Sequence, residues 1–284
     1  MTLRKAVGLP TVGEFGDPRV LLDLAVAAEE RGWDGVFLWD HVLYHQPSWP
    51  VVNPTVALAA IAARTGRVRL GVLMTALPRR RVQVVARETV SLDVLSGGRL
   101  VFGAALGSMD AEYAAFGEDP ALTRRAGKLD ESLAVLTRLW SGERVDHRGT
   151  YLTVDGVIMQ PPPVQRPRIP IWCAGRWPVR AGFRRAARWD GAMPTFDGYG
   201  RDRGVVPPGD LAAVVDFLHE QRGDLERRGD LDATPGGFDV VMEGWSGPQE
   251  AEAYAEVGLT WWVEAMGWWR GGVADARSRI AAGP

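Results

Sequence analysis

Few ionisable side chains in this 284-residue chain stand where a short apolar run stops, and those few define the chemistry to consider. The sharpest pair is Asp40-His41, directly after Val36-Phe37-Leu38-Trp39. An imidazole exchanges protons near neutrality because its ordinary pKa is about 6.5, so His41 is a candidate acid or base, with Asp40 as its orienting group. The bland alternative is a carboxylate that caps the next segment beside a histidine bonded to backbone. Glu243 and Glu264 follow two later apolar runs, and the remaining run ends carry Thr75, Gly107-Ser108, Gly175 and Thr195. His41 and His45 are four apart, but Pro47 and Pro50 disfavour a helix there and further ligands are poor, so no metal site is expected.

Two glycine-bearing stretches, Gly103 to Gly107 and Cys173 to Pro178, join an apolar run to a helix-like segment. They read as tight turns. They read equally as anion sites, where exposed N–H groups and a helix amino terminus attract phosphate, with Arg176 as partner and Pro178 in the first turn. Neither has the spacing of a dinucleotide-binding turn. Arg79-Arg80-Arg81 reads as a solvated basic face or as partners of carboxylates before it reads as an anion site. Trp49, Trp172, Trp177, Trp245 and Trp262 fall in loops or near run ends; most tryptophans in a barrel are packing residues, and a few lining the mouth would make a flat apolar slot.

The elements that must position these residues follow from a repeated transition. A helix-like amphipathic segment ends near a glycine, as at Gly32, Gly66 and Gly97, and a compact apolar run follows. Runs that are apolar at nearly every position suit parallel strands buried on both faces. Candidate strands occupy 3–9, 33–39, 68–74, 100–105, 168–174, 189–193, 238–242 and 259–263. Eight strands alternating with helices predict an α/β fold, a TIM (β/α)8 barrel forming one domain over 1–284, with its site at the carboxyl ends of the strands. The stretch 141–167, with Pro161-Pro162-Pro163, reads as an insertion between strands four and five, extended and laid over the barrel. A second long loop, 196–209, reads as a lid.

Composition removes several classes of function. A formal charge of -2 favours neither nucleic acid nor an anionic membrane. One cysteine, Cys173, makes neither an intrachain disulfide nor a multi-thiolate metal site, and no run of eighteen apolar residues occurs, so a cytoplasmic protein is the default expectation. The only lysines, Lys5 and Lys128, sit at a strand start and in a helix-like stretch, away from the expected mouth. Schiff-base aldolase chemistry is therefore disfavoured.

Four stretches together resemble the bacterial luciferase-like superfamily of flavin- and deazaflavin-dependent oxidoreductases. They are Ala28 to Gly35 leading to Asp40-His41; Asn53-Pro54 with Ala62 to Gly71; Leu92 to Leu100 with Gly103 and Gly107; and Ile171 to Gly175 ahead of Ala186 to Gly191. The resemblance implies a TIM-type barrel holding its ring at the mouth, with a bulge or non-prolyl cis peptide joining Leu73 and Met74 as support. Trp39-Asp40-His41 resembles the branch that uses coenzyme F-420. Two departures stand against close transfer: Ser108 follows Gly107 where sugar-phosphate dehydrogenases of that branch carry an acid, and Leu106 precedes it where flavin members often carry arginine.

The resulting expectation is hydride transfer between coenzyme F-420 and a small organic substrate. His41 would handle the proton, and Asp40 would orient it or contact the ring. Leu73, Met74, Thr75 and Gly107 would shape the ring wall, while Gly175, Arg176, Trp177, Pro178 and Val179 would receive the phosphate. Trp49, Trp172, Phe196, Trp245 and Glu264 would line the substrate pocket. Alternatives are a two-component monooxygenase using reduced FMN from a separate reductase, and a non-catalytic flavin-binding protein. The resemblance also implies a homodimer.

Overall fold

The computed structural model describes residues 2–199, 205–231, 237–245 and 248–284. Among the described residues, ten strands run in chain order. They are β1 (Arg4–Leu9), β2 (Gly35–Leu38), β3 (Arg69–Ala76), β4 (Leu100–Ala105), β5 (Arg144–Arg148), β6 (Thr153–Ile158), β7 (Ile171–Trp177), β8 (Gly191–Phe196), β9 (Asp239–Gly244) and β10 (Trp261–Ala265). All but β5 and β6 pair in parallel and close into a barrel, in the order β1-β2-β3-β4-β7-β8-β9-β10 and back to β1. Around it run α1 (Pro18–Glu30), α2 (Pro54–Arg64), α3 (Val82–Ser96), the short α4 (Ala111–Ala114), α5 (Leu122–Trp140), α6 (Arg180–Ala186), α7 (Pro208–Arg228), α8 (Pro248–Glu256) and α9 (Val273–Ala281).

Local chemistry fixes the helix ends. The Asn53 side chain accepts from the N–H groups of Thr55 and Val56, and Pro54 stands in the first turn of α2. At the other end of its helix, α3 stops where Gly97 takes φ +66°, a conformation that strains a side chain. Parallel pairing then places every strand's carboxyl end on one rim, which carries residues 39–53, 77–81, 106–121 and 266–272.

Two apolar cores result. Ala6, Phe37, Leu73, Val101, Trp172, Met193, Val241, Trp261 and Val263 fill the barrel interior, while a larger core lies between the strands and the helices. Trp172 packs against Phe37 and Trp261 at centroid distances of 5.4 and 5.7 Å. Trp261 is covered by Arg4, which pairs with Asp239 at the amino-terminal rim. Trp172 is thus interior filling toward the barrel floor and not a pocket wall.

The insertion differs from an extended excursion. β5 and β6 form an antiparallel hairpin, and Glu131 of α5 accepts the N–H groups of Tyr151 and Leu152 at 2.9 and 2.8 Å. The prolines follow the hairpin and do not shape it. Strand limits also shift: β8 and β10 begin two residues after the apolar runs do, and β7 continues to Trp177. Neighbouring strands set these limits, since a parallel strand lasts as long as its partners offer hydrogen bonds. Of the lid segment, residues 200–204 lie outside the described residues; β8 takes its beginning and α7 its end.

Candidate active site at the carboxyl-terminal rim

The loops after β2, β3 and β4 bring together five charged or titratable side chains: Asp40, His41, Arg79, Arg80 and Glu112. Asp40 is buried, and its carboxylate meets Arg80 at 2.5 Å and Arg79 at 3.1 Å while accepting the Ala76 N–H at 2.9 Å. Burial alone would push its pKa up. Arg80 and then Arg79, aided by hydrogen bonds, outweigh that and hold the carboxyl below its ordinary value. Its oxygens are turned to the arginines and leave the histidine without an orienting carboxylate on that side. The orienting role expected of Asp40 is corrected accordingly.

That place is taken by Glu112, whose Oε1 lies 3.4 Å from His41 Nδ1. The same oxygen accepts the Val42 N–H at 2.6 Å, and Oε2 accepts from Arg79 at 2.6 Å. Burial pushes the Glu112 carboxyl up, but His41, the Val42 amide and Arg79 more than offset it, so its pKa is lowered. Sequence reading passed over Glu112, although it is an acid five residues beyond Gly107. Of the two bland readings of the arginines, the structure favours carboxylate partners over a solvated face: Arg79 and Arg80 are 4% and 19% exposed and serve as counter-ions. A cavity of about 420 Å³ opens here, lined by His41, Asn53, Arg79, Arg80, Glu112 and Phe116 among others.

An aromatic wall stands beside His41. Its ring meets Tyr44 edge-on at 5.0 Å and Trp39 at 6.1 Å. Trp49 stacks on Tyr44 at 5.9 Å, and Trp268 touches Trp39, Tyr44 and Trp49. Trp39 also stacks on Trp269 and donates its indole N–H to Glu243 at 3.0 Å. Trp49 is therefore at the rim as expected, joined by Trp39, Tyr44, Trp268 and Trp269, whose partnership no local pattern announces.

The β3–β4 pair supplies an apolar ledge. Pairing jumps between Val72 and Thr75, so Leu73 and Met74 both face the interior opposite Gly103. The peptide joining Leu73 and Met74 is cis, the bond singled out from the sequence. Thr75 turns the other way, into a recess with Val85, Thr89 and Phe102 beneath the helices, and so leaves the ring wall. Gly107 adopts φ +81°, and a side chain there would come within 2.9 Å of the Tyr113 hydroxyl, so its glycine answers a packing demand.

Alternation along β7 sorts the expected phosphate segment. Trp177 packs outward on Phe183 and Phe217, and a Cβ on Gly175 would strike the Phe183 ring at 2.8 Å. Arg176, between them, turns toward the mouth, is exposed, and stands 3.4 Å from Asp197. Pro178 follows a cis peptide, and Val179 is the exposed residue before α6. The stretch is thus a strand end rather than a turn. Phe196 is buried in the outer core, Trp245 is exposed after β9, and Glu264 faces outward, bonded to Trp262, Arg270 and Arg279. Phe196 and Glu264 are therefore removed from the pocket wall.

Comparison with known proteins bears on this rim. An F420-dependent glucose-6-phosphate dehydrogenase of Microbacterium testaceum (strain StLB037) is 34% identical over 190 residues, covering 66% of this chain and 55% of that protein. The chain spans about half the length of the curated relatives it matches. An F420-dependent secondary alcohol dehydrogenase, solved with an F420-acetone adduct, aligns with a TM-score of 0.79 at 17% identity, over 99% of this chain and 98% of that one. A monooxygenase from Streptomyces bottropensis aligns with a TM-score of 0.70 at 23% identity, over 99% and 82%. At such identities these two speak for the fold alone. Residues 3–206, which span β1 to β8 and contain Asp40, His41, Arg79 and Glu112, match the family described as luciferase-like monooxygenase, and the chain belongs to that family.

Proposed function

We propose that the protein is a coenzyme F-420-dependent oxidoreductase that moves hydride between the deazaflavin and a small organic substrate. The observation that carries this reading is the conjunction of the Leu73–Met74 ledge with His41 on the same rim of the barrel. An apolar ledge beside an imidazole fits a flat redox ring whose reaction partner must gain or lose a proton, so the residues present suit the group. When bound, the deazaflavin supplies a carbon that gives or takes hydride. Curated relatives named for the same cofactor support the choice over FMN.

The chain's own residues supply the rest. Leu73 and Met74 offer the ring an apolar face, and Arg176 stands toward the mouth as a counter-charge for the cofactor's phosphate. His41 holds or receives the substrate proton, a service that contributes roughly 100- to 10,000-fold when the group is well placed. The wall of Tyr44, Trp49 and Trp268 excludes water and favours a flat or apolar substrate. In this reading the protein works in the cytoplasm as a homodimer, and a separate reductase supplies reduced cofactor where the substrate is the hydride acceptor.

Anaerobic titration with deazaflavin and with FMN, followed by single-turnover spectra, tests the proposal. Deazaflavin should bind and exchange hydride, and His41→Ala should keep binding while losing about 100-fold or more in turnover. FMN binding with oxygen consumption in place of deazaflavin binding would instead assign the protein to the two-component monooxygenases.

A further inference from the structure

We infer that Glu112 is the positioning residue of His41: with Arg79 it clamps the backbone on both sides of residue 41 and fixes the proton of the neutral ring on Nδ1, leaving Nε2 to face the reacting molecule. The inference rests on the proposed proton-handling role of His41.

The clamp is built from three successive strand ends. Arg79, after β3, donates to the Asp40 carbonyl at 2.9 Å, the peptide group before His41. Glu112, after β4, accepts the Val42 N–H at 2.6 Å, the peptide group after it. The two side chains pair with each other at 2.6 Å and close the loop. Both are buried, with 4% and 1% of the side chain exposed, so their pairing is little screened by solvent.

The ring inherits its direction from this arrangement. Nδ1 lies 3.4 Å from Glu112 Oε1, a carboxylate that only accepts, so a neutral imidazole is favoured with its proton on that nitrogen. Nδ1 is buried and makes no hydrogen bond within ordinary geometry, so the Glu112 carboxylate at 3.4 Å acts on it as a nearby negative charge. Trp39 and Tyr44 meet the ring at 71° and 72° and hold its tilt. Among the other charged or titratable groups nearby, Asp40 is held by Arg80 and Arg79, His45 packs on the Tyr44 ring at 5.0 Å, and Glu118, across the cavity, pairs with Lys128 at 3.3 Å.

Glu112 is itself well placed. Tyr113, the next residue of α4, donates its hydroxyl to the Leu106 carbonyl at 2.7 Å, and Arg125 of α5 donates to the Gly107 carbonyl at 3.1 Å. These bonds tie α4 to the end of β4, so the carboxylate is delivered by the barrel and not by a free loop.

A purely structural carboxylate would affect stability, whereas a positioning one also sets the tautomer. Nitrogen-15 NMR of the full chain without cofactor, at alkaline pH, reads this directly. With four histidines in the sequence, His41→Gln assigns the resonance. The wild-type ring is expected as the Nδ1–H tautomer; an Nε2–H ring overturns the inference without any variant at Glu112. Glu112→Leu, which removes the acceptor facing Nδ1, should shift the ring toward Nε2–H and lower kcat about 100-fold with deazaflavin affinity retained. An unchanged tautomer in that variant overturns the inference, whatever happens to kcat. If wild-type protein fails to turn over deazaflavin, the functional reading falls, while the tautomer still judges the clamp.

Discussion

Asp40 keeps its charge in a buried position because two guanidinium groups meet it there. Its depressed folded pKa fixes the sign of its contribution to stability. The contribution is present above the ordinary carboxylate pKa of about 3.9 and is lost as the pH falls through the lower folded value. Asp40→Asn leaves two buried arginine charges short of a partner. Urea unfolding at neutral pH should show a loss of about 3–5 kcal/mol, with the gap from wild type narrowing as the pH drops below that range. A variant as stable as wild type at neutral pH would show that the pair contributes nothing net. Glu112 follows the same sign, since its own carboxyl is also depressed. At this scale the sequence marked His41 through its position after an apolar run, but not Glu112, because what joins residues 41, 79 and 112 is the adjacency of β2, β3 and β4 in space.

The ledge on β3 depends on its neighbour having no side chain. A Cβ on Gly103 would lie 2.2 Å from the Val72 carbonyl and 2.7 Å from Met74 Sδ. Gly103→Ala should therefore cost at least the roughly 1–3 kcal/mol of an overpacked core and weaken deazaflavin binding by disturbing Leu73 and Met74. Gly66→Ala, at a glycine with open space around it, is the control and should leave both unchanged. Equal stability in the two variants would rule out the close approach as the reason for glycine at 103. The existence of β3 and β4 was legible from their apolar runs. Which side each residue faces was not, because a strand buried on both faces shows no alternation of polar and apolar residues. Hence Thr75, Phe196 and Glu264 were expected at the mouth and face the helices instead, and Trp172, which does face inward, sits too low.

A closed barrel has no free edge among its eight strands, so ligand binding at one rim should stabilise it as one unit. Deazaflavin at about 100 times its dissociation constant should add about 2.7 kcal/mol, a rise of roughly 4–5 °C in Tm. Differential scanning calorimetry of wild type and His41→Ala should show the same rise in both, since the substitution leaves the Leu73–Met74 ledge in place. Absence of any shift would count against a cofactor site at this rim. The sequence by itself determined the barrel, because compact apolar runs alternating with helix-like segments are local properties of the chain, and eight such runs occur. It also determined that His41 stands at the carboxyl-terminal rim, since that follows from strand direction alone. Only the tertiary structure decided which carboxylate serves the histidine, which arginines neutralise which acids, and which tryptophans meet over the mouth. Those contacts join residues dozens to hundreds of positions apart, as in Trp39 with Glu243 or Val42 with Glu112, and their selection depends on closure of the barrel, which no local window contains.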